Sequence, residues 1–469
     1  MLAYPVARPA AAAPAPGRPN IVLILADDMG WGDAGFNGRR AWKTPALERL
    51  AREGTVFERW YSAAPVCAPS RAALMTGRYG IHNGVSGNAG ELPRGATTIA
   101  RALRPRGYVT ALVGKWHAGA PRPGERAPVH PLDRGFDEFF GFTDAVHAWQ
   151  HFPKQLWDGR SLRPVSGHAD SLFAERSIDF IRRQRGGPFF LYLALNSPHF
   201  RIEAPADDVA RFRGRFAERD PARPRNATYA AMMLALDRAV GRVLRALDDQ
   251  RLADDTLVVF TSDNGATFEV GNQGASAYHD SNAPLRGQKR SLWEGGIRVP
   301  AVVRWPGHVP AAKACREPIH MTDVFPTLLA AAGGAPDPAW KLDGLNMLAT
   351  WTHERRLTPR TLYWEWRAEG YQQIAVMRGD RKVIVTGDGP PEMYDVERDP
   401  EERIDVFADH PRTGSLLLSM LRTWLLSETA ESRAARPGAR PAVRDPLSQD
   451  PARRPAPGPR PWLRWPWRW

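Results

Sequence analysis

The sequence is poor in cysteine, with two in 469 residues, Cys67 and Cys315. That scarcity excludes a disulfide framework, and a chain of this length can bury a core large enough to do without one. Also missing is any run of about 18 consecutive apolar residues, which excludes a membrane-spanning helix. The first 19 residues are rich in Ala and Pro, carry Arg8 and Arg18, and lack the continuous apolar stretch of a secretory signal. The compartment therefore stays open between the cytoplasm and the periplasm or exterior. No internal repeat is evident.

Acidic residues are outnumbered, 51 against 64 Lys plus Arg, for a net charge of +13. Such an excess invites a nucleic-acid partner, but its distribution argues against one. Residues 431–469 contribute +6 and residues 1–19 another +2, which leaves +5 for the body of the chain. The surplus sits in ends whose composition reads as disordered. The last nine residues, Pro461–Trp469, alternate aromatic and cationic side chains. That pattern suits a membrane interface or a polyanion, although a dispensable terminus accounts for it more simply.

What is present is a series of short apolar runs that stop abruptly at polar residues. Asn20–Ala26 runs into Asp27-Asp28, Val109–Val113 into Gly114-Lys115-Trp116-His117, Pro188–Leu195 into Asn196-Ser197-Pro198-His199, and Thr256–Thr261 into Ser262-Asp263-Asn264. Runs of this length without polar alternation read as strands buried on both faces. Helical segments lie between them. Thr44-Pro45 has N-cap and N1 chemistry for a helix through Arg52, and Ala230–Asp248 repeats apolar residues at helical spacing. The alternation predicts an α/β fold, a large, mostly parallel sheet sandwiched by helices. Ligands gather outside the carboxyl ends of such strands. Four strand ends here supply Asp-Asp, Lys and His, His, and Asp-Asn.

Past about Pro310 the pattern changes. Thr322–Leu329 opens a helix that closes the large unit, and strand-like pieces recur at Ile374–Met377, Lys382–Val385 and Met393–Val396. A helix with Leu416–Leu426 as its apolar core follows. The second unit is thus a smaller antiparallel sheet plus helix.

Asp27, Asp28, Asp263 and Asn264 offer three carboxylates and an amide, hard oxygen ligands that suit Ca²⁺ or Mg²⁺. Nitrogen and sulfur ligands at zinc spacing are absent from this set. Cys67 stands where Pro69 and Ser70 mark a helix start, so the free N–H groups of a helix N-terminus surround it. An unmodified thiol there would have a lowered pKa, whereas a lone cysteine is more often a small buried side chain. Spacing alone leaves both readings open.

The stretch Cys67-Ala-Pro-Ser-Arg71-Ala-Ala-Leu-Met-Thr-Gly-Arg78 resembles the signature of the sulfatase family, and it is complete. The resemblance runs over about residues 19–410. It includes Asp27-Asp28-Met-Gly-Trp-Gly-Asp33, Gly114-Lys-Trp-His117, Gly135–Gly141, Ser197-Pro-His199, Ser262-Asp-Asn-Gly265 and Leu285–Pro300. Together with the composition of the two ends, this divides the chain into a disordered segment 1–18, a catalytic domain 19–335, a smaller α+β subdomain 336–430 and a disordered Pro/Arg/Trp-rich tail 431–469.

The resemblance also implies that a maturing enzyme oxidises Cys67 to formylglycine, whose hydrate attacks sulfur with one hydroxyl and expels sulfate with the other. It places a divalent cation on Asp27, Asp28, Asp263, Asn264 and residue 67. Arg71 then orients the hydrate, Lys115 and His117 lie near its second hydroxyl with His117 as base, and His199 with Lys289 grips the sulfate and assists the leaving oxygen. His147 falls in a stretch, Phe142–His151, that does not align clearly; it either faces substrate or is an ordinary loop histidine. The long loop Thr267–Pro284 is placed to shape a pocket.

The expected activity is hydrolysis of a sulfate monoester, an aryl sulfate or a sulfated carbohydrate. The alternatives are a phosphonate monoester or phosphodiester hydrolase with the same nucleophile, and a non-catalytic protein that binds sulfated glycans.

Overall fold

The computed structural model describes residues 17–87, 90–93, 95–120, 129–184, 187–353, 358–368 and 371–429. The readings made for residues 1–16 and for the tail 431–469, including its Trp/Arg alternation, lie outside these.

The apolar runs are strands, and their neighbours explain why they are apolar throughout. Asn20–Ala26 pairs in parallel with Phe189–Ala194 on one side and Thr256–Ser262 on the other. Its alternate side chains enter two different cores. Ile21, Leu23 and Leu25 join the Cys67–Thr76 and Val324–Ala331 helices on one face. Val22, Ile24 and Ala26 join the Ala169–Arg183 and Arg225–Asp249 helices on the other. A strand covered on both faces has no solvent side on which to place polar residues.

The sheet has ten strands. Five adjacent ones, Thr256–Ser262, Asn20–Ala26, Phe189–Ala194, Val109–Lys115 and Glu138–Phe142, run parallel and form its centre. Antiparallel pairing enters at the flanks. Ala301–Arg304 pairs antiparallel with Thr256–Ser262, and a hairpin of Gln155–Asp158 and Ser161–Pro164 pairs antiparallel beyond Glu138–Phe142.

The helix expected after Thr44 spans Pro45–Glu53, but the Thr44 side chain does not cap it. Thr44 Oγ1 accepts instead from the Gly35 N–H, at 3.0 Å. The free amides of Ala46 and Leu47 donate to the Asp237 carboxylate, at 3.1 and 2.9 Å, and Asp237 lies on the 25-residue Arg225–Asp249 helix. A carboxylate is the stronger partner for a helix N-terminus, and packing the two helices supplies it. Burial pushes Asp237 up to about 6 in spite of those bonds.

The C-terminal sheet has four antiparallel strands, Thr361–Ala368, Tyr371–Arg378, Arg381–Thr386 and Glu392–Asp395. One face is covered by Leu417, Leu421 and Trp424 of the Pro411–Leu426 helix. The opposite face, with Trp364, Trp366, Ala375 and Met377, packs on Tyr61, Val66, Leu292 and Ile297 of the larger part. Cys67 and Cys315 form no disulfide. Among the described residues no helix is long and apolar enough to cross a membrane.

A buried charge cluster locks this second joint. Lys382 Nζ lies 2.9 Å from both Glu294 Oε1 and Glu402 Oε1, with every side chain of the three fully buried. The Tyr61 hydroxyl donates to Glu294 Oε2 at 2.9 Å. Removing only the cation strands two desolvated carboxylates, so Lys382→Met, which nearly keeps the volume, is expected to cost about 3–5 kcal/mol. Urea unfolding checks this, and adding E294Q and E402Q to K382M should recover most of the loss.

Candidate functional site

Parallel register brings the polar strand ends to one edge of the sheet. Ala26 stands opposite Ser262, and Ala194 opposite both Leu25 and Gly114. The residues that follow each strand therefore emerge side by side. The Asp263 N–H donates to the Ala26 carbonyl at 3.1 Å, and the Asp28 N–H donates to Asp263 Oδ1 at 3.1 Å. Gly114 allows the strands to stay this close: a Cβ there would meet the Ala194 carbonyl oxygen at 1.8 Å, and its φ is +115°. Asp28 and His117 take up left-handed backbone, with φ of +62° and +37°, which turns each side chain out of its strand direction.

Cys67 is the first residue of the wholly buried Cys67–Thr76 helix, preceded by an extended Val66. Its Sγ lies 3.5 Å from Asp27 Oδ1, 3.9 Å from Asp28 Oδ1 and 3.5 Å from Lys289 Nζ. Arg71, one turn on, shares that helix face. Its Nε donates to Asp263 Oδ2 at 2.8 Å, its Nη1 to the Lys115 carbonyl at 2.8 Å, and its Nη2 is 3.5 Å from Asp27 Oδ1. Lys115 Nζ meets Asp27 Oδ2 at 2.6 Å, and Lys289 Nζ meets Asp28 Oδ2 at 2.8 Å. His199 Nε2 is 3.7 Å from Asp28 Oδ2, and its Nδ1 is 2.5 Å from the Phe200 carbonyl. His117 is buried, with Nδ1 unpartnered. All ten residues singled out in the sequence thus come together at the carboxyl edge.

The electrostatics follow from three carboxylates facing three permanent cations in almost no water. Burial pushes Asp27 up, but the permanent cations Lys115, Arg71 and Lys289 outweigh it and hold the carboxyl well below its usual range. Burial carries Asp263 to about 7 against the pull of Arg71. It drives His117 and His199 well below the ordinary imidazole value, so both are neutral. Lys289 moves well above its usual range, because Asp28 and neighbouring anionic groups more than offset its desolvation. For the unmodified Cys67 thiol, burial decides between the two readings that spacing left open. Burial pushes it far up rather than down, and it outweighs the lowering by Lys115 and Lys289.

The donor set fits a hard cation. Single ligand atoms of Asp27, Asp28, Cys67 and His199 all lie within 4.8 Å of one another. Asn264 Nδ2 donates to Asp28 Oδ1 at 2.7 Å, while Asn264 Oδ1 is buried without a partner. A buried amide oxygen with no donor, next to three carboxylates, is what an oxygen-liganded divalent ion would satisfy.

His147 lies apart from this chemistry. Its Nε2 is 2.9 Å from the Gln155 carbonyl and its ring sits edge-on to Phe142, so it is a loop histidine with a structural partner. Two supports were not singled out from the sequence. His151 Nε2 contacts the His199 carbonyl at 2.8 Å. Asn282 ties the Ala266 N–H (2.8 Å) and carbonyl (3.0 Å) to the Gly287 carbonyl (3.1 Å), which fixes the loop leading to Lys289. For Asn282 the only hint was the length and composition of the loop Thr267–Pro284.

A family model described as Sulfatase matches residues 19–335, and one described as N-sulphoglucosamine sulphohydrolase, C-terminal, matches residues 287–427. The N-acetylgalactosamine-6-sulfatase of Homo sapiens is 37% identical over 381 residues, which cover 75% of this chain and 69% of that protein. Arylsulfatase G of Mus musculus is 34% identical over 396 residues, covering 74% and 71%. Among solved structures, Ps i-CgsB in complex with k-i-k-neocarrahexaose is similar with a TM-score of 0.80 at 31% identity, over 88% of this chain and 94% of that one. The phosphonate monoester hydrolase of Agrobacterium radiobacter shares the fold, with a TM-score of 0.65 at 21% identity over 88% and 96%.

A buried thiol with a raised pKa is a poor nucleophile at neutral pH. Unmatured folded protein is therefore expected to resist alkylation of Cys67 by iodoacetamide at pH 7.5, and to react fully once denatured. Peptide mass mapping of the two samples checks this.

Proposed function

The chain belongs to the sulfatase family, and is by that membership a sulfuric ester hydrolase; we propose that its substrate is a sulfate monoester of a carbohydrate, attacked from position 67. The observation that carries the reading is the placement of Cys67 at the start of a buried helix, its Sγ within 3.5–3.9 Å of Asp27, Asp28 and Lys289. Relatives support the substrate class: one is an N-acetylgalactosamine-6-sulfatase, and Ps i-CgsB is solved with a neocarrahexaose.

Cys67 Sγ marks the place that the oxygens of a formylglycine hydrate would take in the matured enzyme, supplying one hydroxyl to attack sulfur and a second to release sulfate. Maturation requires a separate oxidising enzyme that acts on the Cys67–Arg71 stretch. Asp27, Asp28, Asp263 and Asn264 would hold Ca²⁺, with Mg²⁺ the other cation such oxygens accept, and the ion would supply Lewis acidity toward the sulfate oxygens.

The remaining roles fall to the chain's own side chains. Arg71, pinned by Asp263 and the Lys115 carbonyl, orients residue 67. Lys115 balances Asp27 and lowers the cost of negative charge beside it. Neutral His117 accepts the proton of the second hydroxyl as sulfate leaves. Lys289 offers its ammonium to a sulfate oxygen. With Nδ1 occupied by the Phe200 carbonyl, His199 takes a proton on Nε2 when the anionic ester arrives, and passes it to the leaving alcohol oxygen.

Turnover of p-nitrophenyl sulfate and of sulfated sugars is expected to exceed that of phosphate mono- and diesters; a phosphodiester preferred by orders of magnitude would overturn the reading. Matured protein should show the Cys67 peptide about 18 Da light, from exchange of the thiol for an aldehyde. An intact thiol in protein from a competent host would favour a glycan-binding role instead. Cys67→Ala should cut kcat by at least about 10⁴-fold with an unchanged circular dichroism spectrum. Elemental analysis should find about one divalent cation per chain, and less in N264A. Full activity after its complete removal would contradict the metal assignment.

A further inference from the structure

We propose that Arg290 is a specificity-determining residue whose guanidinium receives a second anionic group of the substrate, so that the preferred ester is a polyanionic carbohydrate carrying another sulfate or a carboxylate near the scissile sulfate. This rests on the sulfate-ester reading given above. Arg290 directly follows Lys289, and its N–H donates at 2.9 Å to the carbonyl of Pro65, two residues before Cys67. Its backbone is therefore held between the nucleophile helix and the loop that delivers Lys289. Its φ is +69°, a conformation that glycine adopts freely and an arginine does not. A long cationic side chain is retained where the backbone would be better served without one, and such outliers gather at ligand sites.

The side chain is oriented from two directions. Arg290 Nε donates to Glu269 Oε1 at 2.5 Å, and Glu269 Oε2 in turn accepts from the Thr267 hydroxyl at 2.9 Å. The guanidinium carbon lies 5.7 Å from the ring centre of Trp366, which the C-terminal sheet supplies. The Arg290 side chain is 37% exposed, against 3% for Lys289. Among the described residues neither Nη1 nor Nη2 makes a hydrogen bond. A guanidinium fixed in plane by one edge and open at the other presents the fork that carboxylates and sulfates bind.

The surroundings of Lys289 are aromatic. The Phe200 ring stacks on His199 at 4.3 Å, lies 5.8 Å from Lys289 Nζ and meets Trp149 at 5.5 Å. Such a half-buried platform suits the apolar face of a sugar better than a short alkyl chain. Burial would raise the Glu269 carboxyl, but Lys289 and Arg290 together hold it low, so both cations lie around one carboxylate, and anions on them belong to the same or to neighbouring sugar residues. Trp366 gives the C-terminal sheet a part in choosing substrate.

The test compares wild type with R290G, which suits the left-handed backbone and should melt no lower. The substrates are a monosulfated monosaccharide, the same sugar with a second sulfate, and a monosulfated disaccharide bearing a uronate. R290G is expected to lose about 10- to 100-fold in kcat/KM on at least one doubly anionic substrate, chiefly through KM, and to match wild type on the monosulfated sugar. Whichever substrate suffers identifies sulfate or carboxylate as the second group. R290K should fall between. Equal losses on all three substrates would make Arg290 merely structural, and no loss on either doubly anionic one would also overturn the proposal. If wild type hydrolyses no sulfate ester, the underlying reading fails; if it does and R290G shows no selectivity, only this inference fails.

Discussion

Asp27, Asp28 and Asp263 meet at the edge of the sheet with 0–1% of their surface exposed, and the centre holds together because three cations face them. Desolvating so many carboxylates costs several kcal/mol each, and only close pairing offsets it. The partners come from three separate places: Arg71 from a helix, Lys115 from a strand end, Lys289 from a long loop. Each carboxylate is thus a reason for a different element to be where it is. The balanced cluster also sets the state of its neighbours. Burial, reinforced by the nearby cations, keeps His117 and His199 neutral. A doubly charged cation would then make the centre electropositive, which is what an incoming anionic ester needs.

Backbone constraints hold this cluster together as much as charge does. The parallel register sets Ala26 beside Ser262, so two acidic dipeptides far apart in the chain become neighbours. The C-terminal sheet adds a second joint, in which Tyr61 and Val66, just before Cys67, pack against Trp364 and Trp366. The buried Lys382–Glu294–Glu402 triad ties that joint to the segment following Lys289. A unit with no side chain among the ten central residues therefore steadies both the nucleophile helix and the sulfate-facing loop.

Much of this was legible in the chain. Unalternated apolar runs ending in polar pairs gave away the parallel strands and the edge at which they converge, because a strand buried on both faces cannot hide its composition. The Ala230–Asp248 periodicity located most of a helix that spans Arg225–Asp249. The first strand of the small sheet, Thr361–Ala368, is not among the pieces that read as strands, since Trp, Glu and Arg obscure its alternation. Thr44 does stand at the N-cap of the Pro45–Glu53 helix, with Pro45 in the first turn, but the partner of the free amides, Asp237, arrives only when two helices pack.

By itself the sequence determined which chemical groups are available and in what local setting: a cysteine opening a helix, carboxylates and an amide at strand ends, two histidines after apolar runs. These depend on neighbours a few residues away, where spacing is conformation. The tertiary structure alone decided the protonation and the partners. The Cys67 thiol is pushed up rather than down, Asn264 Oδ1 is left without a donor, and Arg290 lies between Glu269 and Trp366. Desolvation and Coulomb terms depend on burial and on distances of a few ångströms between residues remote in sequence, and those distances exist only once the chain has folded.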